Sequence, residues 1–130
     1  MNIRQLFFVG ASMLASTLGG VAAAQERQEQ YVQIAEIEID PAQLGDYKAV
    51  VAEHAETAIR AEPGVLVLYA VSEKDKPTSI RVFEVYASAA AYRAHLEAPH
   101  FKKYKAAAEK MVKSLKLVQT TPIALAAKAQ

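Results

Sequence analysis

The chain predicts an α+β fold in which an antiparallel sheet carries helices on one face, in the order β-α-β-β-α-β. Three observations carry this. Ala35, Ile37 and Ile39 alternate with Glu36 and Glu38, a period of two that marks a strand. Leu44, Tyr47, Val51, Ala55 and Ala58 recur at helical spacing between two proline stops. A second helical stretch follows the third strand and is interrupted at Ala98-Pro99.

Each element has its own boundary signals. The first strand runs from Tyr31 to Asp40, and Asp40-Pro41 ends it. Pro41 suits the first turn of a helix, which continues to Glu62 and is stopped by Pro63-Gly64. Val65 to Ser72 reads as a strand that is apolar on both faces, and Glu73 to Thr78, a polar turn containing Pro77, leads into the strand Ser79 to Ala87. Ser88 is the N-cap of a short helix through Glu97. Pro99 starts another, with Phe101, Tyr104, Ala108, Met111 and Leu115 on one stripe. A last strand, Leu117 to Thr121, precedes Pro122. The arrangement is ferredoxin-like.

Side chains on a strand alternate, so Val32, Ile34, Val82, Tyr86 and the apolar pairs of the second strand cannot all reach the helices. An apolar second face calls for a cover, and a homodimer closing two sheets into an α/β barrel supplies one. Alternation with Phe83 assigns Val82 to that partner side. Glu84 and Tyr86 then point the same way, with Glu84 expected to pair with Arg81 or Lys116, or else to orient a neighbouring side chain.

Residues 1–24 read as a signal peptide, with Arg4 in the n-region, an apolar stretch from Leu6 to Leu18, and Ala22-Ala23-Ala24 as the cleavage site. A membrane anchor is the competing reading of the same segment. Cleavage after Ala24 leaves no stable anchor and places the protein in the periplasm or outside the cell. Residues 25–30 form a polar leader, 31–123 one domain, and 124–130 a tail. Without Arg4, the 15 basic residues come level with the 14 acidic ones, a balance that gives nucleic acid no concentrated basic face. The lysines from 102 to 116 are interrupted by Glu109 and read as a solvated face. With no cysteine, stability must come from packing.

No phosphate loop, His-x-x-x-His pair or nucleophile turn occurs. Of the three histidines, His95 and His100 are five residues apart, which on one continuous helix would separate them, but the break at Pro99 can bring both rings to one pocket. Two histidines alone lack a third metal ligand of obvious spacing, so no metal site is assigned. Both also have structural readings, His95 as a helix-face residue and His100 as a first-turn residue. His54 lies beside the stripe of the first helix, where it either edges the core or enters the pocket.

The order Glu84-x-Tyr86, Ala94-His95-Leu96, then Pro99-His100-Phe101 with Lys102 and Tyr104 resembles the antibiotic biosynthesis monooxygenase family, particularly its small quinol-monooxygenase-like members. Glu62-Pro63-Gly64 leading into a strand strengthens the resemblance, which covers Tyr31 to about Ile123. It implies a dimeric barrel and a pocket in which an electron-rich quinol or other small aromatic meets oxygen without a cofactor. Such chemistry needs a base. A neutral imidazole suits the role. The expectation is His95 as base and His100 as second candidate, with Tyr104 or Tyr86 bonding a substrate oxygen and Ile37, His54 and Phe101 completing the pocket.

Haem-degrading relatives place asparagine, tryptophan and histidine where this chain has Ile37, His95 and Lys105, so haem is not expected. Polyketide-ring oxygenation is weakened in the same way, because the chain has no tryptophan. Two other functions stay open: isomerisation of a small carbonyl compound, and a non-catalytic ligand-binding or stress-response domain.

Overall fold

A computed structural model describes residues 29–129. The expected signal peptide and most of the leader lie outside the described residues. Strand β1, Tyr31–Ile39, is followed by a short 3-10 turn, Pro41–Gln43, and the long helix α1, Leu44–Ala61. Strands β2, Val65–Ser72, and β3, Ser79–Tyr86, lead to helices α2, Ala89–Glu97, and α3, Pro99–Ala108, and the last strand is β4, Val112–Gln119. The sheet order is β2-β3-β1-β4, and every pairing is antiparallel. Among the described residues no helix is long and apolar enough to cross a membrane.

Local chemistry explains the caps. Asp40 accepts the Ala42 N–H on its side chain, and Pro41 opens the turn behind it. Ser88 accepts the Ala91 N–H at 3.1 Å and so caps α2. Ala98, extended at φ −66° and ψ 141°, is at once the C-cap of α2 and the N-cap of α3. Pro99 has no N–H to donate and enforces the restart.

The core lies between the sheet and α1. Ala35, Ile37 and Ile39 of β1, Ile80, Val82 and Tyr86 of β3, and Val65 and Leu68 of β2 meet Tyr47, Val51 and Ala58. The expected assignment of Val82 and Tyr86 to the partner side is therefore reversed. Val82 sits directly across from Ala35, and Ile80 from Ile37, so all four share the face that the helix covers. The opposite face carries Tyr69, paired with Phe83, and Val71, all exposed.

The end of the chain also differs from expectation. The helical stripe does not continue through Met111 and Leu115. Helix α3 stops at Ala108, whose carbonyl accepts the Met111 N–H at 2.8 Å, and the Met111 carbonyl accepts the Asp40 N–H at 2.9 Å. Strand β4 then begins at Val112, five residues before the expected Leu117, because Leu115 pairs with Ile37 and Leu117 with Ala35 along the open edge of β1. Residues 120–129 carry no helix or strand.

Candidate active site

Helix α1 ends at Glu62, whose own backbone is extended and whose N–H bonds back to Ala58. Gly64, two residues on, meets α2 at very short range: a Cβ built there would lie 2.7 Å from the Cβ of Ala91. Only glycine allows that approach. It brings α2 against the end of α1, and one turn beyond Ala91 the ring of His95 reaches Glu62.

His95 Nδ1 lies 2.7 Å from Glu62 Oε2, and His100 Nε2 lies 2.6 Å from the same oxygen. Burial pushes the Glu62 carboxyl up, but hydrogen bonds from both rings and the positive charge that they can carry outweigh it, and its pKa stands below the ordinary value. A carboxylate only accepts, so both facing ring nitrogens carry protons. His95, only 1% exposed, is among the most buried side chains of the protein.

His54 completes a cluster of all three histidines, its ring centre 5.1 Å from that of His95 and 5.7 Å from that of His100. It stacks on Tyr104 at 4.7 Å. Its Nδ1 is buried with no hydrogen-bond partner among the described residues. Burial, then repulsion from the positive charge that His95 and His100 can carry, lowers its pKa to about 4. His54 therefore stays neutral at physiological pH.

Beside this cluster is a cavity of about 640 Å³ between the helices and the sheet. His54, His95, Phe101 and Tyr104 line its helix wall, and Gln33, Ala35, Ile37, Val82 and Glu84 its sheet floor. Tyr104 shares a 2.8 Å hydrogen bond with Tyr47. Burial raises both phenols, so each stays protonated. A smaller cavity of about 160 Å³ opens between α1 and α3 and is lined by His54, His100 and Tyr104.

The structure brings together most of the residues expected from sequence. His54, His95, Ile37, Phe101 and Tyr104 line the large cavity, while His100 lies behind it on the smaller one and joins the site through Glu62. Tyr86 does not line the cavity: it is fully buried and donates its hydroxyl to Glu84 Oε1 at 2.7 Å. The expected ion pair of Glu84 with Arg81 or Lys116 is absent among the described residues. Glu84 faces the helices, where it accepts from Gln33 and Tyr86, while Arg81 donates to Ser79 and to the Ile80 carbonyl.

Sequence reasoning missed Glu62 and Gln33. Glu62 stood in the Glu-Pro-Gly signature, where it read only as a helix end. Its carboxylate also supplies the third donor that the two histidines lacked, since the three donor atoms lie within 4.8 Å of one another. A divalent ion there would replace both hydrogen bonds to Glu62.

A small ferredoxin-like α+β domain with a histidine-walled, largely apolar cavity under its helices is the class that this fold and site define. The chain belongs to the antibiotic biosynthesis monooxygenase family, whose model matches residues 30–107. A solved structure from Bacteroides thetaiotaomicron that carries the family's name is 44% identical, with a TM-score of 0.75 over 78% of this chain and 97% of that one. Two more structures of that name, from Nitrosomonas europaea and Caulobacter crescentus, share the fold at 22% and 23% identity. Their TM-scores are 0.70 and 0.66, each over 74% of this chain and over 92% and 93% of their own. No curated protein matches the chain.

Proposed function

We propose that the protein is an exported monooxygenase that oxidises a quinol or another small phenolic substrate with molecular oxygen, using His95 as base. The observation that carries this reading is the pairing of His95 Nδ1 with Glu62 on a ring that also lines the cavity. With Nδ1–H donated to a carboxylate, the neutral ring keeps its lone pair on Nε2, and the imidazolium formed by proton uptake is stabilised by Glu62. His100 holds the same carboxylate oxygen from the other side and acts as a positioning residue.

The chemistry balances without an outside reductant. His95 takes a phenolic proton, and the phenolate passes one electron to oxygen. Superoxide and the substrate radical combine in a carbon–oxygen bond, and the peroxide loses water. One hydroquinone and one oxygen molecule become one hydroxyquinone and one water, so the substrate supplies all four electrons and none is asked of a flavin, haem or metal. The apolar cavity walls favour both an aromatic ring and dissolved oxygen.

The test is oxygen uptake by metal-stripped protein across a panel of quinols and polyphenols. Stoichiometric uptake with hydroxylated product supports the reading. Conversion of a carbonyl compound without oxygen would make the protein an isomerase, and saturable binding without product a ligand-binding domain.

Two further parts of the proposal have separate tests. Homodimerisation rests on exposed Tyr69, Val71 and Phe83 on the outer sheet face, and replacing Tyr69 with lysine should then shift sedimentation towards monomer. Export rests on the sequence of residues 1–24, and mass spectrometry of the secreted protein should find Gln25 at its N-terminus.

A further inference from the structure

The sheet floor of the large cavity holds a second polar group that the base chemistry does not use. Glu84 Oε1 accepts from Tyr86 at 2.7 Å, and Oε2 accepts from Gln33 Nε2 at 3.1 Å. Gln33 is itself only 2% exposed and is fixed by Tyr31, which donates to its Oε1 at 3.2 Å, while its Nε2 also reaches the Tyr92 hydroxyl at 3.4 Å. The Tyr31 and Tyr92 rings stack at 4.6 Å beside it. Among the described residues no Lys, Arg or His nitrogen lies within ion-pair range of Glu84.

A carboxylate without a cation, on the wall of a mostly apolar cavity, is costly unless donors satisfy it. It has about four lone-pair directions, and the two bonds within the protein use two. Glu84 lines the same cavity as the proposed base. Tyr86 stands between the two groups, its ring 5.3 Å from that of His95 and its hydroxyl on Glu84. The negative charge of Glu84 also contributes, behind burial, to keeping the Tyr86 and Tyr104 phenols protonated.

We infer that Glu84, held by Gln33 and Tyr86, is a recognition subsite for a second hydroxyl of the substrate, and that it selects neutral dihydroxy aromatics and rejects those bearing a carboxylate or phosphate. The subsite rests on the proposed function and sharpens it. One hydroxyl donates to Glu84 and orients the ring, and the other is presented to His95. An anionic substituent in the same cavity meets like charge, which costs affinity where water is excluded.

Anaerobic calorimetric titration tests this without turnover, using hydroquinone, hydroquinone monomethyl ether and gentisate as probes. Wild-type protein should bind hydroquinone about tenfold more tightly than the ether and gentisate more weakly still, the effect of one charge-assisted hydrogen bond and one repulsion. Glu84→Gln should compress that ranking and admit gentisate. The ranking on wild-type protein needs no variant, so it decides the matter even if Glu84→Gln fails to fold. Equal binding of the three probes, no binding of any, or an unchanged ranking in a folded Glu84→Gln protein would overturn the subsite. Loss of oxygen chemistry with the ranking intact would overturn only the proposed reaction.

Discussion

The two halves of the fold cross the sheet differently. The first, from β1 to β2, uses one unbroken helix of 18 residues, and the second, from β3 to β4, uses helices of 9 and 10 residues that meet at Ala98-Pro99. Helix α1 buries Tyr47, Val51, His54 and Ala58, whereas α2 fully buries only His95 and α3 only Ala108. On an unbroken helix, residues five apart point about 140° away from each other. The break lets His95 at the end of α2 and His100 at the start of α3 converge on one oxygen of Glu62. The continuous helix thus supplies a fixed carboxylate, and the broken one supplies two rings that a regular helix would separate.

The largest expected effect falls on the broken side. His95→Ala should lower turnover about 10²- to 10⁴-fold, or roughly 3 to 5 kcal/mol of transition-state stabilisation, with the circular dichroism spectrum retained. His100→Ala, which removes a positioning contact, should cost less. Wild-type turnover in a folded His95→Ala protein would remove the base assignment.

On the continuous side, His54 makes stability depend on pH. Its folded pKa of about 4 lies below that of the unfolded chain, so between about pH 6.5 and 4 the unfolded state binds more protons. The contribution is fully present above pH 6.5 and is lost as pH falls through that window, to a total of about 3 kcal/mol. Urea unfolding of wild-type and His54→Phe proteins at pH 7 and 4.5 should show a smaller loss in the variant. Equal losses would mean that His54 is not held neutral.

The contact between the halves is tested at Gly64. Gly64→Ala should cost about 1 to 3 kcal/mol by overpacking against Ala91, and Ala91→Gly in the same chain should recover part of it. Additive single and double variants would show that α2 does not depend on this approach.

The smallest effect is at the cap of the broken helix. Ser88→Ala should cost about 1 kcal/mol and speed hydrogen exchange in α2 while leaving α1 unchanged. Uniform loss of protection would mean that the two crossings open as one unit.

Much of the fold was legible in the chain. The strand at Tyr31, the capping Ser88 and the break at Pro99 are written in adjacent residues, because caps, proline geometry and periodicity act over a few positions. Five of the seven expected site residues line the large cavity for the same reason: Phe101 and Tyr104 follow the break, His54 lies beside the core stripe of α1, and Ile37 belongs to the alternating strand. The extension of the helix through Met111 and Leu115 failed because Leu115 and Leu117 also fit a period of two, and only pairing with β1 decides between the two readings.

Element order, family and the position of the break are all carried by residues near one another along the chain. Tertiary structure decided which face of the sheet the helices cover, since alternation groups Val82 with Glu84 and Tyr86 but does not say which way the group points. It also decided that Glu62 meets His95 and His100, 33 and 38 residues away. That meeting depends on how closely α2 approaches Gly64, a packing distance between segments that no local pattern encodes.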